Sequence, residues 1–171
     1  MQTKECFEAA IGIENLLRDV YQGLAERYAA EPEMSELFRD LAGEEQQHAN
    51  RIGLLARHYQ DGVWTREVSA RIAVQLDAMA ADLVSMAAEL NRDGSGEAAR
   101  DVLWRVIEAE YRCESLHAEV LAQTAEIDVQ ILFTSLAKQD RRHEELLSLS
   151  SRSTGRRLVE RRPPPLPRMV S

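Results

Sequence analysis

Two stretches of this chain place a glutamate about thirty residues before an acid that is followed, three residues on, by a histidine. The first set is Glu14, Glu45 and His48; the second is Glu110, Asp140 and His143. Residues three apart on a helix project from one face, so each acid stands beside its histidine. Carboxylates and imidazoles gathered at one place suit iron or manganese, with zinc as an alternative. Four carboxylates in an apolar interior need compensation, and two divalent cations supply as many positive charges.

A lone acid-x-x-His is a weak signal among 29 acidic residues, and Glu114-Ser115-Leu116-His117 is a third instance. The weight lies in an internal repeat. Laying Ile13-Glu14 over Ala109-Glu110 brings Tyr21 onto His117 and Leu24 onto Val120. A shift of one residue then lays Leu37-Phe38 on Leu132-Phe133, Leu41-Ala42 on Leu136-Ala137, Glu45 on Asp140 and His48 on His143.

The elements that must position these residues read as helices. Phe7, Ala10, Ile11, Leu17, Leu24 and Tyr28 recur at helical spacing over 4–29. Pro32 suits the first turn of a second helix, to about Tyr59, with Met34, Leu37, Phe38, Leu41, Ile52 and Leu55 inward. Asp61-Gly62 breaks it. A third helix covers 67–91 with Ile72, Leu76, Met79, Leu83, Met86 and Leu90, and Asp93-Gly94-Ser95-Gly96 is a turn. Residues 97–125 form a fourth helix, and Asp128 is a candidate N-cap for a fifth, 129–150.

Counting along the hairpins puts the chemistry at one level. Glu14 lies 15 residues before its helix ends, and Glu45 lies 12 residues into the next. At ~1.5 Å per residue their heights differ by only about 4–5 Å. The second hairpin repeats the count with Glu110 and Asp140. Leu41, Ile52 and Leu55 share a face with the first pair, and Leu136 and Leu147 with the second, so the acids point inward.

Composition sets the class. The 171 residues make one domain, with 44% hydrophobic and 5% aromatic residues, unlike a strand-rich protein. Cys6 and Cys113 form neither a disulfide framework nor a four-thiolate site, and read as free thiols in a reducing compartment. The charged first 20 residues do not read as a signal peptide. No run of ~18 uncharged apolar residues suggests a membrane span. The net charge is −8, but residues 152–171 hold six Arg against one Glu, which leaves the body at −13. An acidic body argues against nucleic acid. The stretch Arg162-Pro163-Pro164-Pro165-Leu166-Pro167 cannot be helical, so 152–171 reads as a disordered tail.

Glu14 with Tyr21 seven residues later, Glu45-Gln46-Gln47-His48, Glu110, and Asp140-Arg141-Arg142-His143 together resemble the ferritin-like superfamily, most closely the rubrerythrin-like di-iron proteins. The resemblance covers about 4–57 and 100–150. It implies two iron ions, with Glu14 and Glu110 as terminal ligands, Glu45 and Asp140 bridging, and His48 and His143 on one metal each. It implies that Tyr21 hydrogen-bonds beside the site. It also implies reaction with hydrogen peroxide or dioxygen, as a peroxidase or ferroxidase. The sequence departs from the family in three ways. There is no four-cysteine electron-transfer domain, so an external donor supplies electrons. Asp140 is one methylene shorter than the family's Glu. Cys113 stands where rubrerythrins carry an extra Glu, with Glu114 one residue later as a substitute ligand. His117 is either a further ligand or a satisfied buried polar residue.

The expected architecture is all-α. A ferritin-like four-helix bundle of two hairpins occupies 1–151, joined by a long crossover with its own helix at about 67–91. The expected partners are a second copy of the chain, an electron donor and a small oxidant, in the cytoplasm. The alternatives are an iron-binding or iron-delivery protein without turnover, and a metal-free helical module.

Overall fold

The computed structural model describes residues 3–59, 62–92 and 96–153. Five helices run α1 (Thr3–Arg27), α2 (Pro32–Ala56), α3 (Arg66–Leu90), α4 (Gly96–Leu116) and α5 (Ile127–Ser153), with a π-helical turn at His117–Leu121 after α4. No strand occurs among the described residues. The pairs α1/α2 and α4/α5 are the two expected hairpins, and α3 is the expected crossover, packed on α1 and α4.

Local sequence explains the boundaries. Pro32 occupies the start of α2, where a missing N–H costs nothing. Gly62 adopts φ +85, a left-handed conformation that favours glycine, and so turns the chain after α2. Its neighbour Asp61 and the turn expected at 93–95 lie outside the described residues. Asp128 falls within the first turn of α5 rather than before it. Its Oδ1 accepts from the Val129 N–H at 3.1 Å and from the Tyr59 hydroxyl at 2.6 Å. The Arg/Pro-rich tail lies outside the described residues from 154 onward.

The apolar stripes are buried as their spacing demands. Phe7, Leu17 and Leu24 of α1 share one buried cluster with Phe38 and Ile52 of α2 and with Ile72, Leu76, Leu83 and Met86 of α3. Each such fully buried side chain stabilises by about 1.5–3 kcal/mol relative to exposure. Gly23 lets α3 approach α1, because a Cβ there would sit 3.0 Å from Leu90 Cδ1. Arg27 of α1 donates through Nε to the Leu90 carbonyl at 3.0 Å, satisfying the C-terminal end of α3.

The fourth helix differs from the uninterrupted 97–125 expected of it. At His117 the hydrogen bonding widens, so that the Ala122 N–H reaches the His117 carbonyl at 3.0 Å. One extra residue enters the turn, as in π-bulges generally. Trp64 closes this turn by donating its indole N–H to the Leu121 carbonyl at 3.1 Å. The Thr124 hydroxyl donates to the Val63 carbonyl at 2.9 Å. The short segment before α3 thereby holds the end of α4 in place.

Candidate metal centre

All six residues of the repeated sets, Glu14, Glu45, His48, Glu110, Asp140 and His143, are buried to within 1% of full exclusion. The helices place them from four directions: Glu14 from α1, Glu45 and His48 from α2, Glu110 from α4, Asp140 and His143 from α5. Two groups of donor atoms result, each lying within 4.8 Å of one another: Glu14, Glu45 and His48, and Glu45, Glu110 and His143.

Glu45 belongs to both. Its Oε2 is 3.0 Å from His48 Nδ1, and its Oε1 is 2.9 Å from His143 Nδ1. Glu14 Oε2 stands 3.4 Å from His48 Nδ1, and Glu110 Oε1 stands 3.5 Å from His143 Nδ1. The two imidazole rings lie nearly parallel, 5.7 Å apart at an angle of 8°. Donors sharing one first-row metal with bonds of about 2.1 Å stand roughly 3.0–3.5 Å apart, so each group could hold a metal ion.

Hydrogen bonding accounts for part of the arrangement, with His48 Nδ1 against Glu45 Oε2 and the Tyr21 hydroxyl on Glu110, but not for all of it. Among the described residues, seven buried side-chain polar atoms have no hydrogen-bond partner, and six of them belong to Glu14, Glu45, His48, Glu110 and His143. Glu45 Oε1 and His143 Nδ1 are both among them, although they stand 2.9 Å apart. Orphaned buried polar atoms cost about 1–3 kcal/mol each, more when charged. So many at one place mark a site built for an ion.

The remaining residues fall around this set. The Tyr21 hydroxyl donates to Glu110 Oε1. Asp140 and His117 both lie outside the two groups, with Asp140 Oδ2 2.7 Å from His117 Nδ1. His117 is buried, its ring 5.4 Å from that of Phe133, and its Nε2 is 3.4 Å from Glu14 Oε1. Glu114 points away, with Oε1 3.9 Å from an Arg141 nitrogen. Cys113 is a buried free thiol outside both groups. His58 is exposed, and Met79 and Met86 are core.

Glu44 escaped the sequence reading. Its Oε2 meets His143 Nε2 at 3.1 Å, and its Oε1 lies 3.5 Å from Arg142. The signal was present as a second acid beside Glu45, but only the packing of α2 on α5 shows which acid faces in and which supports.

The electrostatics are those of crowded charge in a dry interior. Burial pushes the Glu14 and Glu110 carboxyls up against the relief given by His48 and His143. Asp140 is pushed well up by burial and by the Glu14 and Glu45 charges. Burial and Glu110 push Glu45 upward, but its contacts with His143 and His48 outweigh them and hold it low. Burial depresses His48 and His143, yet the facing glutamates win and raise them to about 10 and about 12. His117 is held low by burial. Tyr21 is raised far above the usual range by burial and then by Glu110 and Glu45, so its hydroxyl stays a donor. In the metal-free protein, protons on His48 and His143 take the place of cations.

A helical bundle whose two hairpins each contribute carboxylates and a histidine to one buried centre is ferritin-like in architecture. The chain matches the Rubrerythrin family over residues 5–150, from α1 into α5, and belongs to that family. No curated protein and no solved structure matches it. Membership implies iron binding, and the orphaned donors of Glu14, Glu45, His48, Glu110 and His143 fit that group. No helix among the described residues is long and apolar enough to cross a membrane.

Proposed function

We propose that the protein is a di-iron oxidoreductase of the peroxidase or ferroxidase type. The observation that carries the reading is the sharing of Glu45 between two three-donor groups, which brings two metal positions to one carboxylate. A pair of irons bound there would supply the electrons that reduce peroxide or dioxygen. Glu14 with His48 would hold one iron, Glu110 with His143 the other, and Glu45 would bridge them.

The chain's own residues prepare the site. Leu17, Leu41, Ile52 and Leu136 are buried within about one helical turn of the donors, and an apolar interior strengthens each charge interaction within it. Tyr21 orients Glu110 and holds a proton on its hydroxyl beside the centre. Glu44 fixes the ring of His143 from the Nε2 side, leaving Nδ1 to face the donors. Cys6 and Cys113 are both buried and too few for a four-thiolate iron site, and the reading includes an electron donor other than these thiols.

For assembly we propose a homodimer using α3, whose Val74 and Val84 are 71% and 53% exposed. Sedimentation of the wild type against a Val74→Lys, Val84→Lys variant tests this; a variant that still sediments as a dimer excludes that face.

The activity test is anaerobic loading with ferrous iron, followed by separate addition of hydrogen peroxide and of air. Oxidation of the bound iron faster than that of free iron, with one oxidant preferred, supports the proposal and names the oxidant. Bound iron oxidised no faster than free iron would leave an iron-binding protein without turnover.

A further inference from the structure

We infer that His117 is a third imidazole ligand, on the metal held by Glu14, Glu45 and His48, and that Asp140 serves to hold His117 in place instead of bridging the metals. The inference rests on the metal-centre reading above.

Asp140 is where a symmetric centre would have its second bridge, since the repeat lays it on Glu45. The structure turns it elsewhere. Its Oδ2 lies 2.7 Å from His117 Nδ1, both side chains are buried, and neither residue belongs to the two donor groups, so the pair stands together at the edge of the centre with His117 beside Glu14. The shorter aspartate side chain accounts for this, because it reaches less far into the centre than glutamate.

A carboxylate that accepts the Nδ1–H of an imidazole fixes the tautomer and leaves Nε2 with its lone pair free. That lone pair faces Glu14 Oε1 at 3.4 Å, and Glu14 Oε1 is itself buried and without a hydrogen-bond partner. An ionised Glu14 oxygen and that lone pair would repel in a dry interior; a cation held by both removes the conflict. The spacing is the same as that between Glu14 Oε2 and His48 Nδ1, also 3.4 Å. The Glu14 carboxylate therefore has an imidazole nitrogen against each oxygen. Carboxylate–imidazole–metal triads are the usual way a protein aims a histidine ligand.

The backbone supports the assignment independently. His117 is the first residue of the π turn, and its carbonyl accepts the widened hydrogen bond from Ala122. Trp64 fixes the end of that turn, and Phe133 covers the imidazole face. Such irregular turns recur at functional sites because they re-aim one side chain. His117 is so aimed between Asp140 on α5 and Glu14 on α1. The outcome is an asymmetric centre, with one metal richer in nitrogen and one carboxylate bridge.

The test uses the whole chain loaded anaerobically with cobalt(II). Proton spectra in water and in deuterium oxide count the strongly shifted, exchangeable imidazole N–H resonances, one for each coordinated ring. Three resonances, from His48, His117 and His143, are expected; two cobalts with only two resonances overturn the inference while leaving the metal centre intact. No cobalt bound by the wild type overturns the centre and the inference together. Two variants give a second readout by cobalt titration. His117→Gln should weaken one of the two sites by at least about 10-fold and remove one resonance, and Asp140→Asn should weaken the same site by about 10–100-fold with both sites still fillable. Loss of a metal in Asp140→Asn, with both affinities unchanged in His117→Gln, would instead make Asp140 the ligand.

Discussion

Tyr21 and His117 occupy equivalent places in the two hairpins, each seven residues after its glutamate, and each reaches across to the glutamate of the opposite hairpin. The Tyr21 hydroxyl donates to Glu110, and His117 Nε2 stands 3.4 Å from Glu14. The centre is thus closed by a crossed pair of contacts that ties the halves together. The crossing is chemically unequal: one arm is a donor hydroxyl, the other an imidazole whose far nitrogen is engaged by Asp140.

Removal of the Tyr21 hydroxyl tests the first arm. Tyr21→Phe deletes a buried hydrogen bond to a carboxylate, which costs about 1.5–3 kcal/mol. For a chain of this size that lowers Tm by roughly 2–4 °C per kcal/mol. Thermal unfolding of the metal-free variant reads the loss, and iron content should stay at the wild-type level. An unchanged Tm would mean that the contact contributes nothing to folding.

Glu44 is predicted to act on the metal through His143. Glu44→Ala should weaken one metal site by about 10–100-fold, as loss of a carboxylate behind a histidine ligand commonly does. The control is Glu8→Ala, whose exposed side chain meets only Lys4 at 3.5 Å. Competition titration with a chelating dye distinguishes them; equal affinities in the two variants would remove Glu44 from the account.

The metal-free protein should lose stability as pH rises. His48 and His143 are raised to about 10 and about 12, above the value of about 6.5 in an unfolded chain. Their stabilisation is complete below about pH 6.5 and is lost as pH climbs through the folded values. The raised Glu14, Glu110 and Asp140 carboxyls act in the same direction, since folding takes up protons there too, while Glu45 and His117, both held low, act against them. Metal must displace these protons, so the gain in Tm on adding metal should be larger at pH 8 than at pH 6. Calorimetry at the two values, with and without zinc, checks the sign; a gain that shrinks with pH contradicts it.

Trp64 is predicted to matter beyond its apolar surface. Trp64→Phe keeps most of the packing against Phe7, 5.0 Å away, but leaves the Leu121 carbonyl without the indole donor. The buried acceptor should cost about 1–3 kcal/mol. The π turn would loosen with it, so metal affinity should fall alongside Tm. A stability loss with unchanged affinity would separate Trp64 from the placement of His117.

Much of this was legible in the sequence because helices repeat on a fixed period and a buried carboxylate is conspicuous in an apolar stripe. The repeat placed Glu14, Glu45, His48, Glu110 and His143 at one level, where the structure brings their donors together. It could not show that Asp140 Oδ2 stands 2.7 Å from His117 Nδ1, outside both donor groups. That depends on one methylene of reach and on an extra residue in the turn at His117, neither of which alters the spacing of apolar residues. Glu44 and Trp64 were hidden for a related reason. Each acts on a residue far away in the chain, His143 and Leu121, and such partnerships arise only from packing. The crossover helix was visible as a stripe, and its choice of α1 and α4 as neighbours was not.

The most direct test of the central claim, that Glu45 joins two metal positions, is the iron content of anaerobically loaded wild type and Glu45→Ala, with circular dichroism to verify the helical fold of each. The account predicts about two irons per chain in the wild type, held as in other paired-carboxylate bundles, and marked loss from both positions in the variant. Two irons retained by a folded Glu45→Ala, or none bound by the wild type, would contradict it.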